Sequence, residues 1–154
     1  MNVRPATLED WNDLAALIEE FNCEKRARFD EPDFTRMHLE ACHLAIAGEY
    51  GGVYVAEEDG RLIGYCAWLS LPTMPVGVVD GLGTYVVPEK RRTRVAEALN
   101  LAAIEFHRQR GARRVYGVVH NANTASMQRM RAYGAEPVGT LFRWDLDREP
   151  KHGG

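Results

Sequence analysis

Hydrophobic positions divide the chain into segments with a helical period and segments with a strand period. A short opening strand is predicted at residues 2–5, and the apolar residues that follow recur at helical spacing: Trp11, Leu14, Leu17, Ile18 and Phe21. Thr7 and Asp10 lie three residues apart, as in a capping box, and are predicted to begin this first helix. A second helix is predicted over residues 34–47, capped by Asp33.

Extended segments dominate the middle of the chain. A β-hairpin is predicted in "VYVAEEDGRLIGYCAWLSL", with its turn at Asp59 and Gly60, and a further strand in "GVVDGLGTYVVP" ends at Pro88. A long helix is predicted from about Arg92 to Arg110. The apolar run at residues 113–120 shows almost no alternation, which predicts a strand that is buried on both faces.

The remaining elements are a helix over residues 123–133 and a last strand over residues 136–147. The resulting order is β-α-α-β-β-β-α-β-α-β, in which residues 78–120 form one parallel strand–helix–strand crossover. The sequence therefore predicts a single α/β domain over residues 2–147, with a mixed sheet flanked by helices. Residues 148–154 are predicted to form a disordered tail.

Composition and charge disfavour several classes of function. The 154 residues fit one domain, and 45% hydrophobic with 27% charged residues is typical of a soluble globular protein. A formal net charge of −3 argues against nucleic acid as the partner. No stretch approaches the ~20 apolar residues of a membrane span. The lack of such a stretch predicts no membrane association. Because Cys23, Cys42 and Cys66 have neither metal-ligand spacing nor a disulfide pattern, we also expect reduced thiols, no metal and a cytoplasmic location.

A basic cluster stands where the apolar strand meets the long helix, and its members are Lys90, Arg91, Arg92 and Arg94. The first N–H groups of a helix have no intrahelical acceptor and carry a partial positive charge, so they form an anion site. Cations at this end oppose the helix dipole, which makes the cluster unfavourable unless an anion binds. Three interpretations remain: a cradle for a phosphorylated cofactor, a nucleic-acid patch, and solvated surface charge.

This segment resembles the pyrophosphate-binding motif of the GCN5-related N-acetyltransferases (GNAT), in which [Q/R]-x-x-G-x-[G/A] leads into a long helix. Arg91 matches the first position and Ala96 the last, whereas Arg94 replaces the middle glycine. The element order is similar to that of the family over nearly the whole chain, and "NANTASMQRMRAYGA" resembles its second signature. The resemblance implies an N-acetyltransferase that moves an acetyl group from acetyl-CoA to a primary amine directly, in a ternary complex. The alternative is a non-catalytic acyl-CoA-binding module of the same fold.

The resemblance also implies which residues contact the cofactor. The strand before the helix would pair with the pantetheine arm through Val86 and Val87, and Asn123 at the start of the last helix would meet the pantetheine or act as a plain N-cap. The pyrophosphate contacts are assigned to Arg91, Arg92, Thr93, Arg94, Val95 and Ala96. Arg94 fits the motif if its φ is negative, which we expect, whereas a positive φ there would cost stability and cofactor affinity.

Catalytic residues are less clearly implied. The family tyrosine that often protonates the leaving thiolate corresponds to Met130, which has no proton to donate. Tyr133 and His120 are therefore the candidate acids, with helix-end packing and a backbone-bonded strand end as their structural alternatives. Asp80, within an apolar strand, is the first candidate base and Glu57 is the second; a solvated position near a turn is the alternative for both.

The acceptor side is expected at the loop "ARFDEPDFTR" between the first two helices, which commonly lines that side in the family. Asp30, Glu31 and Asp33 would steer a cationic amine, or else Asp33 caps a helix and the other two are simply exposed. Four acceptors remain open: a polyamine, an aminoglycoside-like molecule, an amino acid and a protein N-terminus. A homodimer is compatible with the family.

Overall fold

The computed structural model describes residues 1–48, 51–70 and 77–141. The chain forms two compact units, Met1–His120 and Asn121–Gly154. Within the described residues, the first unit contains the whole sheet and three of the α-helices, and the second unit contains the remaining helix.

The elements follow the predicted order up to the last strand. The strands are β1 (Asn2–Pro5), β2 (Gly51–Glu58), β3 (Arg61–Leu69), β4 (Val78–Val86) and β5 (Arg114–Gly117). The helices are α1 (Trp11–Phe29), α2 (Thr35–Ala47), α3 (Val95–Gln109) and α4 (Thr124–Ala132), with short 3-10 turns at Leu8–Asp10 and Pro88–Lys90. Of the predicted last strand, residues 136–141 have no regular secondary structure, and residues 142–147 and the predicted tail lie outside the described residues.

The polar caps predicted from the sequence are present. The N–H of Thr7 donates to Oδ2 of Asp10 at 2.8 Å, which is part of a capping box just before α1. Oδ1 of Asp33 accepts the N–H of Thr35 at 3.0 Å where α2 begins. Both bonds satisfy backbone N–H groups at a helix start, so local sequence determines where these helices begin.

The described sheet has the strand order β1-β2-β3-β4-β5. The first four strands are antiparallel, and β5 pairs in parallel with β4, which confirms the predicted crossover through α3. The hairpin between β2 and β3 is also confirmed: Asp59 and Gly60 both have positive φ, at 52° and 75°, as a tight I′-like turn requires.

Helices cover both faces of the sheet. Successive strand residues point to opposite faces. Tyr65 of β3 contacts Phe21 of α1 and His38 of α2, whereas the next residue, Cys66, contacts Asn100 of α3. Helices α1 and α2 therefore lie on one face and α3 on the other, and fully buried side chains occur in both layers: Leu14, Ile18, Val55, Val87 and Leu99.

The prediction for the fifth strand is wrong in one respect. It is expected to be buried on both faces, but β5 is only four residues long and all four are exposed. It is the edge strand of the described sheet and pairs only with Val78–Gly81 of β4. The uninterrupted apolar run therefore reflects the strand preference of β-branched and aromatic residues rather than burial.

Candidate active site

Strand β4 runs beside β5 over only half of its length. Parallel pairing joins Val78–Gly81 to Arg114–Gly117 and ends there, while β4 continues to Val86 in its pairing with β3. From residue 82 onward, the edge of β4 that faces away from β3 has no strand partner within the described sheet. Such an edge carries backbone N–H and C=O groups that an extended ligand can bind.

Backbone bonds at the end of β4 show which groups face this open edge. The N–H of Val87 donates to the O atom of Ile63 on β3 at 3.0 Å, and its C=O accepts the N–H of Lys90 at 3.0 Å. Because successive strand residues bond to opposite neighbours, the C=O of Val86 points away from β3, where it accepts Nε–H of Arg91 at 2.9 Å. The side chains of both valines are buried, so Val86 faces the edge through its backbone.

The segment between β4 and α3 determines where the helix begins. Helix α3 starts at Val95, later than predicted, because Pro88–Lys90 form a 3-10 turn and Arg92 then adopts a left-handed conformation with φ 65°. Arg94, which replaces the motif glycine, has φ −83° and ψ 7°, the negative φ that we expect from the sequence. The left-handed residue of this loop is therefore Arg92, although its Cβ makes that conformation uncommon.

The first turn of α3 presents backbone donors at the end of β4. Ala98 is the first residue whose N–H bonds back, to the O atom of Arg94 at 2.9 Å. Three N–H groups precede that bond, those of Val95, Ala96 and Glu97. Oγ1 of Thr93 accepts a long bond of 3.4 Å from the N–H of Val95 and donates to the O atom of Lys90 at 2.6 Å. The helix dipole and the remaining donors favour an anion at this position.

The side chains of the basic cluster have different surroundings. Lys90 pairs with Glu58 of β2, and Arg91 pairs with Glu24 of α1 at 2.6 Å. Nε of Arg94 bonds to the neighbouring Glu97 at 3.0 Å, yet the Arg94 side chain is 86% exposed. Arg92 is also exposed. Arg92 and Arg94 are thus the members of the cluster that extend toward solvent.

Tyr85 links the open half of β4 to α1. Its single hydroxyl hydrogen is shared between Oε2 of Glu20, 3.0 Å from the hydroxyl oxygen, and Oε1 of Glu24, 3.3 Å from it. Burial and the bond to Glu20 raise the pKa of Tyr85, so the phenol stays protonated at neutral pH. The sequence analysis missed this cluster. The four-residue spacing of the two glutamates places them on one helix face, but their partner lies more than 60 residues away.

An open pocket of about 430 Å³ adjoins this cluster through Glu20, and its lining residues are Glu19, Glu20, Cys23, Arg26, Asp33 and Thr35. Three carboxylates against one guanidinium give the lining a formal charge of −2. Asp33 is bound to Arg26 at 2.7 Å and also caps α2, so its capping role is present and its charge is partly neutralised. Asp33 in the loop between α1 and α2 therefore contributes to the wall of a pocket, while the expected role of this loop on the acceptor side stays a prediction.

Three of the catalytic candidates lie in the first unit: Asp80, His120 and Glu57. Asp80 is exposed on β4, paired with Leu69 of β3 and Tyr116 of β5 in the closed half of the strand. The ring of His120 stacks on Phe29 at the end of α1, with centroids 4.4 Å apart and planes at 18°.

The interpretation of Glu57 as the second candidate base must be corrected. Its carboxylate lies 2.7 Å from the guanidinium of Arg4, and its strand β2 is separated from β4 by β3. The residue is therefore part of an ion pair on the side of the sheet away from the open edge. Alternation along a strand does not reveal where that strand lies in the sheet, which explains the wrong interpretation.

The second unit contains the cofactor candidate Asn123 and the catalytic candidate Tyr133. Oδ1 of Asn123 accepts the N–H of Ser126 at 3.2 Å, so Asn123 is an N-cap of α4, one of the two roles considered for it. Tyr133 ends the same helix, and its N–H bonds to the O atoms of Arg129 and Met130.

The buried cysteines are poor nucleophiles. Burial raises the pKa of Cys66 to about 11 and that of Cys42 to about 12, so both remain protonated at neutral pH. Because the thiolate is the reactive form, neither is suited to form an acyl-enzyme.

Among the helices within residues 1–48, 51–70 and 77–141, none combines the length and apolarity that crossing a bilayer requires. The same stretches contain no cluster of three or more His, Cys, Asp or Glu side chains arranged to hold a metal ion.

Comparison with known proteins gives consistent results. The model of the acetyltransferase (GNAT) family matches residues 14–135. The chain is 33% identical over 100 residues to the mycothiol acetyltransferase of Thermobispora bispora, a match that covers 62% of this chain but only 32% of that protein. It is 26% identical over 106 residues to a putative ribosomal protein bS18-alanine N-acetyltransferase of Bacillus subtilis, covering 68% of this chain and 67% of that protein.

A solved structure agrees with these matches at the level of the fold. AAC(6')-Iy in complex with the bisubstrate analogue CoA-S-monomethyl-acetylneamine has a TM-score of 0.72 and 21% identity, covering 94% of this chain and 96% of that chain. In contrast, this chain spans about a third of the length of the mycothiol acetyltransferase.

Proposed function

Because the chain belongs to the GNAT acetyltransferase family, we propose that it is an N-acetyltransferase that uses acetyl-CoA to acetylate a primary amine. One observation carries the proposal: the open edge of β4 leads through a short loop to the first turn of α3, where backbone donors and exposed arginines meet. An extended amide-containing arm with a pyrophosphate at one end matches this junction in shape and charge. The donor supplies a thioester carbonyl and a thiolate leaving group.

The proposed contacts follow from the geometry of the junction. Val86 faces the open edge and would meet the pantetheine arm, while Val87 would support it from the buried side. The N–H of Ala96 would bind the phosphates at the helix start, and the N–H of Val95 would do so in place of its long bond to Thr93. The exposed guanidinium groups of Arg92 and Arg94 would add charge-assisted bonds.

The proposed chemistry is direct transfer. An amine with an ordinary pKa of about 10.4 must first lose a proton to react. Asp80 would accept that proton, the amine nitrogen would bond to the thioester carbon and release its second proton to solvent, and the carbon–sulfur bond would break. His120 would then protonate the departing thiolate. Raised pKa values at Cys42 and Cys66 support a route without an acyl-enzyme.

The acceptor proposed here is a cationic amine. The formal charge of −2 in the pocket beside Glu20 would attract such a molecule and raise its encounter rate. The three similar proteins differ in what their names state: one is a mycothiol acetyltransferase, one a putative ribosomal protein bS18-alanine N-acetyltransferase, and one is AAC(6')-Iy bound to a CoA–acetylneamine bisubstrate analogue. An acceptor panel should therefore include an amino sugar, an alanine-starting peptide, an aminoglycoside and a polyamine.

A second candidate is a non-catalytic acyl-CoA-binding module of the same fold. The observation in its favour is Met130, which stands where many members have a proton-donating tyrosine. Turnover with any amine would exclude this candidate.

Calorimetric titration with acetyl-CoA is the first test. Micromolar binding is expected, and no binding at millimolar ligand would contradict the proposed donor site. Weaker binding of dephospho-CoA would show that a basic residue reads the 3′-phosphate. Release of free thiol in the presence of the amine panel then tests catalysis, and binding without release would support the non-catalytic module.

A further inference from the structure

We infer that Glu24 is a positioning residue for the acyl donor, because its bond to Arg91 braces the end of β4 and the loop that leads into α3. The inference rests on the proposed function and adds a residue on α1, outside the motif, to the donor site. It also assigns a structural role to Arg91, the first residue of the motif, which would hold the loop against the end of β4.

Arg91 is held by three groups of the protein. Its Nε donates to the O atom of Val86 at 2.9 Å, and one terminal nitrogen lies 2.6 Å from Oε1 of Glu24. The centre of its guanidinium lies 5.4 Å from the ring centroid of Tyr85. A guanidinium donates in one plane and stacks through its faces, so these contacts fix both its position and its tilt.

Glu24 in turn connects two parts of the site. Oε1 accepts from the guanidinium of Arg91 and also from the hydroxyl of Tyr85, so one carboxylate oxygen holds both the loop and the strand. Glu20, one helical turn earlier, accepts only from Tyr85 among its described contacts. Of these two glutamates, Glu24 is therefore the one whose carboxylate contacts the loop and can hold its conformation.

The loop needs such a brace because the next residue is Arg92. Its left-handed backbone is unfavourable for a residue with a Cβ and persists when its neighbours fix it. A fixed Arg91 on one side and the Thr93 bond to the O atom of Lys90 on the other define this conformation. The amides of the first turn of α3 follow directly.

A competing role for Glu24 predicts the opposite result. If Arg91 reads a phosphate, then Glu24 competes with the ligand for the same guanidinium, and removing the carboxylate charge would strengthen binding. If Glu24 positions Arg91, removing the charge loosens the loop and weakens binding. The sign of the change therefore separates the two roles.

Glu24→Gln provides the test, with Glu40→Gln as the matched control. Glu40 also pairs with an arginine, Arg36, at 2.9 Å, but on α2. For Glu24→Gln we expect about fivefold weaker acetyl-CoA binding in calorimetry and a similar rise in the KM for acetyl-CoA, with kcat and the KM for the amine nearly unchanged. The size follows from the partial exposure of the pair, 34% for Glu24 and 37% for Arg91. Glu40→Gln should match the wild type.

A double-mutant cycle supplies the second measurement. Arg91→Lys keeps the charge but loses the planar fork, and we expect it to weaken acetyl-CoA binding. In that background, Glu24→Gln should add little, since the brace is already broken. Additive losses, tighter binding in Glu24→Gln, or an effect on the amine KM alone would each overturn the inference.

The outcome for the proposed function is read separately. If wild-type protein binds acetyl-CoA and Glu24→Gln binds it equally well at an unchanged melting temperature, only the role of Glu24 is wrong. If the wild type does not bind acetyl-CoA, the proposed function and the inference fail together.

Discussion

The side-chain nitrogen of Asn22 donates a hydrogen bond to Nδ1 of His38 at 3.2 Å in the buried layer between α1 and α2. The same nitrogen donates to the O atom of Ile18 at 2.8 Å, so both of its hydrogens are used and Nδ1 of His38 is the acceptor. The ring proton then lies on Nε2, 3.5 Å from the hydroxyl of Tyr65. Burial lowers the pKa of His38 to about 4, which keeps this ring neutral in the folded protein.

The first prediction is that acid destabilises the protein through His38. Between about pH 6.5 and pH 4 the unfolded chain protonates this histidine and the folded chain does not, so the free energy of unfolding falls as the pH falls. His38 alone contributes a loss of roughly 2 kcal/mol at pH 5. Urea unfolding at pH 7 and pH 5 measures the loss, and it should be smaller in His38→Gln. Part of the pH dependence of the free energy of unfolding remains in that variant because burial also lowers the pKa of His107 to about 4.

The second prediction concerns Gly83 on the open half of β4. Its φ is 148°, and a Cβ there would lie 2.9 Å from ring atoms of Phe21. Gly48 has a similar φ of 132° with open space around it, so Gly48→Ala isolates the backbone strain. We expect Gly83→Ala to lower the free energy of unfolding by about 3 kcal/mol and Gly48→Ala by about 1 kcal/mol. Equal losses in denaturant unfolding would show that Phe21 yields to the new methyl group.

The third prediction is that restoring the motif glycine does not improve the donor site. Because Arg94 has a negative φ, Arg94→Gly relieves no strain and removes an exposed cation. Acetyl-CoA should bind about two- to fivefold more weakly, and the difference should shrink at high salt. Arg94→Lys keeps the charge and serves as the control in calorimetry at two ionic strengths. Tighter binding by Arg94→Gly would mean that the arginine obstructs the phosphates.

The fourth prediction tests Asp80 as the base. Asp80→Asn should lower kcat/KM for the amine at neutral pH by about a hundredfold, since proton transfer typically contributes 10² or more. Acetyl-CoA affinity should be unchanged in calorimetry. Asp13→Asn, an exposed change on α1, is the control. Wild-type rates in Asp80→Asn would remove Asp80 from the mechanism and direct attention to the carboxylates on α1.

Local sequence was sufficient for most of the fold because the responsible interactions are local. The capping box of Thr7 and Asp10, the turn at Asp59 and Gly60, and the helical stripe that begins at Trp11 each act within a few residues. The start of α3 was predicted too early, since nothing in the local composition indicates that Arg92 adopts a left-handed backbone.

The site could be predicted only in part, for a similar reason. Motif matching located the junction of β4 and α3, where the structure shows an open strand edge and backbone N–H groups without intrahelical acceptors. It did not locate Glu20, Glu24 or Tyr85, whose bonds join distant parts of the chain. The assignment of Glu57 was wrong because the order of strands in a sheet is a property of the whole fold.

The bond between Glu24 and Arg91 also bears on how the protein reaches its native state, since the two residues are 67 positions apart. A contact of this sequence separation forms after the intervening chain has ordered, because closing a long loop costs conformational entropy. The loop between β4 and α3 should therefore acquire its final shape late in folding, after α1 has docked on β4. A ligand that binds this loop in its final conformation therefore raises the free energy of unfolding of the native state but does not accelerate the early steps of folding.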